Sequence, residues 1–248
     1  MISSSPKLPL TSIGLAYATV FRNFAGLLLI SALPLIMIAA ITVLPGLMLP
    51  AEWCDSGSDG KIRVAPLLVS GAVSLLYLPF ASMIAVAWHN FVLRGTPLML
   101  RFDLFRDREL RGYLLLGAAF ELVGQAVTLA FTLLIDQTVS QGSSSLWISA
   151  LFTWILFAAS VFITVRLSPL FPAVAVGSGV TVAQTWRATR GNFWRLFWGG
   201  VLATGPMAVA LGLLAPWTEP YLGKPGSLLA STLDALNIVA YYLSLIHI

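Results

Sequence analysis

Glu121 is the residue whose type and position most favour chemistry, because its carboxyl lies near the middle of a long apolar segment. Gln125, Thr128 and Thr132 follow at i+4, i+7 and i+11, which predicts that all four side chains share one helix face. A carboxyl about 13 Å inside a membrane is costly unless it faces the protein interior, is protonated or is paired. The pattern indicates either a proton, ion or polar-substrate site or an interhelical hydrogen-bonding stripe.

His89 lies near the end of another apolar segment, between Trp88 and Arg94, two residue types that are typical of a membrane-interface anchor. We expect no metal site here, since zinc needs three or four protein ligands and the other histidine, His247, lies in a doubtful tail. We expect no cofactor.

Sequence motifs of common enzymes are absent: there is no phosphate-binding loop, no His-Glu-x-x-His and no Gly-x-Ser-x-Gly. Asp103, Asp107 and Glu109 alternate with arginines, which predicts a self-paired surface at headgroup level. An intramembrane acid–base pair would need a second carboxylate or histidine. We therefore predict that the chain is not an enzyme.

The composition is that of a membrane protein, with 58% hydrophobic and 10% charged residues in 248. Soluble domains carry roughly 25% charged residues. Four stretches without Asp, Glu, Lys or Arg are each longer than the ~20 residues that cross a bilayer: 24–51, 64–93, 137–165 and 196–218. The net charge of +4 does not indicate nucleic-acid binding, because the arginines cluster at the ends of these stretches.

We predict an all-α fold, a polytopic transmembrane helical bundle that forms a single integral membrane domain. The predicted spans are six: 24–49, 67–92, 112–135, 146–165, 196–215 and 228 to the end. Alternate connections carry 11 basic residues on one side and 3 on the other. The positive-inside rule then places the N-terminus and the two long basic segments in the cytoplasm, with the bacterial inner membrane as the expected location.

Short amphipathic helices are predicted before the odd-numbered spans, within 10–24, around Phe102–Leu110 and within 182–197. Thr181 and Gln184 have the spacing of a capping box at the start of the last one. The arrangement suggests three related units, 8–93, 97–166 and 181–248, although an arginine and an aromatic residue mark any membrane entry. The predicted cytoplasmic interface consists of His89, Arg94, Arg166, Arg187, Arg190, Asn192 and Arg195.

Arg166 ends the fourth predicted span, and its expected role is to extend its guanidinium to the lipid headgroups. The charge-free run 167–186 could be taken for another span, but Pro169, Pro172, Gly177 and Gly179 interrupt it. We predict a re-entrant or surface connection there.

The last six residues, Leu-Ser-Leu-Ile-His-Ile, equal the translation of a common transposon-based sequencing adapter. We expect that residues 243–248 are an artefact, that the natural sequence departs after Tyr242, and that the sixth span has lost its second half.

Two segments, 185–196 (TWRATRGNFWRL) and 87–95 (AWHNFVLRG), resemble stretches of uncharacterised bacterial inner-membrane proteins. These proteins are similar to the YciC-like family and to the membrane domain attached to some glycerophosphodiester phosphodiesterases. The resemblance implies a six-helix integral membrane domain and carries over no catalytic residue, because the phosphodiesterase relatives keep catalysis on a separate soluble domain.

The predicted function is a non-enzymatic scaffold or membrane-organising accessory protein whose partners are the bilayer and anionic lipid headgroups. The alternative is a small transporter or channel that uses the stripe around Glu121. An intramembrane enzyme is the third possibility. We expect no nucleic-acid partner, and the sequence identifies no protein partner.

Overall fold

A computed structural model describes residues 11–49, 64–104, 106–141 and 146–222. The described residues form helices joined by turns, and no strand occurs among them, which confirms the all-α prediction for this part of the chain. The helices are α1 (Thr11–Arg22), α2 (Phe24–Met48), α3 (Val64–Arg94), α4 (Arg108–Gln141), α5 (Leu146–Leu167), α6 (Leu170–Ala175), α7 (Val182–Ala188) and α8 (Phe193–Leu222).

Four stretches are long and apolar enough to cross a membrane: Phe24–Pro45, Val64–Arg94, Arg108–Leu134 and Ala150–Ala175. They overlap the first four predicted spans, but the last of them runs past the predicted end at residue 165, through a turn and into α6. Large apolar side chains on these helices point outward, for example Leu29 and Trp154, which are 79% and 67% exposed. Such a surface is stable against hydrocarbon and not against water. The chain is therefore a multi-pass membrane protein.

The fifth predicted span, 196–215, lies within the 30 residues of α8. The sixth, together with the suspected adapter tail, lies outside the described residues. Whether six spans cross the membrane stays a prediction, and so does the division into three units.

The third helix, α3, is the central helix of the described bundle, because the residues of its second half are largely buried by neighbouring helices. Two apolar clusters join it to α1 and α2, and a third joins it to α4 and α6. Their buried members are Val20, Leu27, Ile84 and Trp88; Ile38, Tyr77 and Ala81; and Met83, Val86, Leu110 and Ala175.

The connection between α5 and α8 is broken as the prolines and glycines predict. The turn at Ser168 and Pro169 separates α5 from α6, and Gly177 and Gly179 have φ values of +58° and +70° after α6 ends. Helix α7 then begins with a confirmed capping box, in which Thr181 and Gln184 bond each other's backbone N–H.

The short helix predicted around Phe102–Leu110 is wrong in its position. Residues 95–104 and 106–107 form turns and irregular backbone, and helix begins only at Arg108. Asp107 explains the boundary, because its Oδ1 accepts from the backbone N–H groups of Glu109 and Leu110 at 2.9 and 3.1 Å. This contact caps α4 and ends the irregular segment there.

Candidate functional site

The Glu121 side chain is half-buried on α4 and is paired within its own helix. Gln125 donates from Nε2 to Glu121 Oε1 at 2.8 Å. Gln125 also lies against α3 at Gly71, where a Cβ atom would be 3.3 Å from the Gln125 Cδ atom. The small residue on α3 therefore makes room for the paired amide between the two helices.

The predicted four-residue stripe is only partly assembled. Thr132 is half-buried but Thr128 is exposed, and within the described structure no hydrogen bond joins either threonine to the Glu121–Gln125 pair. Helical spacing places the four residues on one side of α4. The contact with α3 covers that side at Gln125 and leaves Thr128 exposed.

His89 is buried on α3, with 8% of its surface exposed, and its ring centroid lies 6.2 Å from that of Tyr113 on α4. Its neighbour Trp88 is also buried, at 4% exposure, in the cluster with Val20 and Leu27. Residues of α1 and α2 cover the Trp88 indole, so it is a packed core residue and not an exposed anchor, and a position at the membrane interface stays a prediction. Among the described residues, no three His, Cys, Asp or Glu side chains come together.

The ends of α3, α4 and α6 are joined by a polar network, which we call the basic-end network: Asn90, Arg94, Arg101, Asp107, Glu109 and the carbonyls of Ala175 and Val176. Arg94 donates to Glu109 Oε1 at 2.8 Å and to Asn90 Oδ1 at 3.0 Å, and it also bonds the Val176 carbonyl. Asn90 in turn donates to the Ala175 carbonyl at 2.9 Å. Arg94 was predicted to be an interface residue, and it acts here as the junction of three helices.

Arg101 completes the network from the irregular segment, with its guanidinium 2.9 Å from Asp107 and 3.1 Å from Glu109. Its hydrogen bond to Asp107 raises the pKa of Arg101. Burial by itself would raise the pKa of Asp107, but the hydrogen bonds from Arg101 and from the backbone of Leu110 outweigh it, so the pKa of Asp107 is lowered. Both groups therefore stay charged at neutral pH, and the predicted self-pairing of this surface is present.

Arg166 is covered by α7, so its guanidinium is not the freely extended group that was expected. It is 9% exposed, and its guanidinium carbon lies 3.9 Å from the centre of the Trp186 ring and 5.5 Å from that of Phe162. It donates to Thr189 Oγ1 at 3.3 Å and to the Trp186 carbonyl. These contacts fasten α5 to α7 by a cation–π interaction and two hydrogen bonds.

The remaining predicted interface residues lie on or beside α7 and at the start of α8. Arg187 and Arg190 are exposed, and Arg187 Nε donates to the Ala183 carbonyl at 3.3 Å. Asn192 is buried between the helices, and its carbonyl accepts from the N–H groups of Arg195 and Leu196. Arg195 is half-buried. Of the seven predicted interface residues, His89 and Arg94 thus lie on α3, Arg166 lies on α5, and the other four lie on or beside α7 and at the start of α8.

Three structural features were not predicted from the sequence: Asn90 as a helix junction, the burial of Ser82, and the position of Tyr113 beside His89. The seven-residue spacing of Ser82 and His89 on α3 was the available signal, since it places both on one face. Comparison with protein-family models, curated proteins and solved structures finds no match to the chain.

Proposed function

We propose that the chain is a non-enzymatic scaffold or membrane-organising accessory protein of the bacterial inner membrane, which contacts anionic lipid headgroups through its arginine-rich end. The observation that carries the proposal is that some arginines are paired with carboxylates and others are exposed. Arg94 and Arg101 are held by carboxylates, whereas Arg22, Arg108 and Arg187 are exposed and have no carboxylate partner in the described structure. Exposed arginines on one face of a membrane protein attract anionic lipids.

The proposal includes six spans with the N-terminus in the cytoplasm, and α1 and α7 as interfacial helices. The asymmetry of basic residues supports this orientation. Helices α1 and α7 end at or just before an arginine, Arg22 or Arg190, and each is followed by a long helix that starts with phenylalanine, Phe24 or Phe193. A relationship to the YciC-like proteins is part of the same proposal and supplies no activity.

Native mass spectrometry of the full chain with equal amounts of phosphatidylglycerol and phosphatidylcholine tests the lipid contact. We expect Arg22→Gln/Arg187→Gln to retain fewer phosphatidylglycerol molecules, while Lys61→Gln/Arg63→Gln, a matched change in the loop predicted on the opposite side, retains the wild-type number. Equal retention by the two double variants would count against the proposal.

Transport is the second candidate function, and the Glu121–Gln125 pair is the observation that favours it. A half-buried carboxyl on a membrane helix, bonded to an amide that fits against Gly71 of the neighbouring helix, can carry a proton, ion or polar substrate. Reconstituted wild-type protein and Glu121→Gln can be compared for flux in vesicles. Equal flux would remove this candidate.

A further inference from the structure

Three polar side chains on α3 and α4 have no hydrogen-bond partner in the described structure: Ser82 and His89, which are buried, and Tyr113, which is half-buried. Ser82 Oγ is fully buried and makes no hydrogen bond. The His89 ring and the Tyr113 hydroxyl likewise bond to none of the described residues, although the two rings lie 6.2 Å apart. Buried polar groups in proteins are almost always hydrogen-bonded to protein or to ordered water. The fully buried Ser82 hydroxyl therefore indicates that a water molecule reaches it, and the unpaired His89 and Tyr113 groups offer further partners for water on the same side of α3.

The three side chains belong to one seam, which we call the α3–α4 seam. Leu78 contacts Gly117, and Gly71 contacts Gln125, so α3 and α4 run antiparallel. This register places Tyr113 at about the same height along the helix axes as Ser82. Ser82 and His89 are seven residues apart, which is two helical turns, and His89 meets Tyr113 on this face. Ala81, by contrast, packs in the cluster with Ile38 on the α2 side.

Polar groups continue along the seam in both directions. Toward the basic end, His89 adjoins Asn90, which bonds Arg94 of the network. Toward the far end lie the Glu121–Gln125 pair and Ser74, whose hydroxyl accepts a hydrogen bond from Tyr77 at 3.3 Å.

Leu78 lies between the two polar halves of the seam. Its Cδ1 atom would be 3.2 Å from a Cβ atom placed on Gly117. A leucine that fits so closely against a glycine closes the seam in this conformation. Hydrophobic constrictions of this kind close membrane pathways by excluding water.

We propose that the α3–α4 seam is a water-carrying proton path in which Leu78 is the gate between Glu121 and His89. The inference rests on the transport candidate and deepens it by naming the cargo, the route and the gate. On the basic side, the imidazole of His89 accepts a proton at one ring nitrogen and releases one from the other, while the Ser82 and Tyr113 hydroxyls orient the water between them. The Glu121 carboxyl exchanges the proton on the far side.

Water access is tested by placing a cysteine at two adjacent buried positions. In a Cys54→Ser background, which removes the single natural cysteine, Ser82→Cys faces the seam and Ala81→Cys faces α2. Serine to cysteine is a nearly isosteric change, so the fold is retained. We expect Ag⁺, which is small and enters only through water, to modify Ser82→Cys about tenfold faster or more, because thiols in dry sites are inert. Equal rates, or an unreactive Ser82→Cys, overturn the path.

The gate is tested by proton flux into vesicles that contain the reconstituted full chain, driven by an imposed membrane potential. We expect Leu78→Ala to raise flux several-fold, and His89→Phe to abolish the increase. The control is Leu76→Ala on the same helix, because Leu76 is 62% exposed and faces away from the bundle. Flux that needs Glu121 but is unchanged by Leu78→Ala and His89→Phe overturns the seam path and leaves transport standing. Absence of Glu121-dependent flux, together with an unreactive Ser82→Cys, overturns both.

Discussion

The hydroxyl of Tyr17 on α1 lies 3.0 Å from the carbonyl of Leu202 and 2.7 Å from that of Ala203 on α8. Leu202 is four residues before Pro206, and proline has no N–H with which to satisfy that carbonyl inside a helix. The single Tyr17 hydroxyl proton is shared between the Leu202 and Ala203 carbonyls, so a neighbouring helix provides part of the hydrogen bond that the proline removes. The contact fixes the first helix against the last described one.

Replacing Tyr17 by phenylalanine should destabilise the protein by about 0.6–1.7 kcal/mol, the range of interhelical hydrogen bonds in membrane proteins. Pro206→Ala restores the N–H within α8, so the same substitution should cost less in that background. Thermal unfolding in detergent of both single variants and of the double variant measures the coupling. Strictly additive effects would show that Tyr17 does not compensate for the proline.

Gly177→Ala should lower the melting temperature of the protein more than Gly179→Ala does. Both glycines have positive φ, so each substitution incurs backbone strain of order 1–3 kcal/mol. Only at Gly177 would the new Cβ atom also collide with Glu109, at 2.8 Å from Oε1, which displaces the partner of Arg94. Because both variants incur the backbone strain, the difference between their melting temperatures measures the effect of the collision with Glu109. Equal losses of stability would contradict the position of Glu109.

Protonation of Asp107 in acid should lower the free energy of unfolding, because the Asp107 carboxylate caps the start of α4. The pKa of this carboxyl is lowered in the folded protein, so it contributes stability above its unfolded pKa of about 3.9 and loses it as the pH falls through the folded value. Asp107→Asn should lower the free energy of unfolding near pH 7 and flatten its decline in acid. Asp103→Asn is the control, because Asp103 is 54% exposed and its Arg106 partner is 3.9 Å away. A wild-type acid profile in Asp107→Asn would refute the prediction.

Arg166→Lys should destabilise the contact between α5 and α7 even though the charge is kept. The planar guanidinium of Arg166 stacks on Trp186 while it donates to Thr189 and to a carbonyl. The compact ammonium group of a lysine cannot make all three contacts. We expect a loss of about 1–2 kcal/mol, and almost none for Arg187→Lys, whose side chain is exposed. Unfolding of the two variants in detergent provides the measurement, and equal losses would argue that Arg166 acts only as a charge.

Long apolar runs were readable from the sequence, because hydrocarbon thickness sets their length regardless of how the helices pack. The capping box of α7 was readable as well, since Thr181 and Gln184 act over three residues and need no tertiary contact. The break between α5 and α7 followed from the local preferences of proline and glycine.

Positions that depend on neighbouring helices were not readable. Trp88 and Arg166 have the sequence context of interface anchors, yet α1, α2 and α7 bury them. Thr128 shares the period of Glu121 but lies beyond the contact with α3. The irregular segment before Arg108 has apolar residues at near-helical spacing, but Asp107 caps α4 and sets its start.

The orientation of the chain underlies both the lipid contact and the direction of the proposed proton path. It can be measured by labelling single cysteines in spheroplasts with a membrane-impermeant maleimide. Cys54 lies in the loop predicted outside, and Ser178 is an exposed position beside the basic-end network. We predict that Cys54 is labelled in intact spheroplasts, whereas Cys54→Ser/Ser178→Cys is labelled only after permeabilisation. Labelling of Ser178→Cys from outside would contradict the account, because the arginine-rich end would then face away from the cytoplasm.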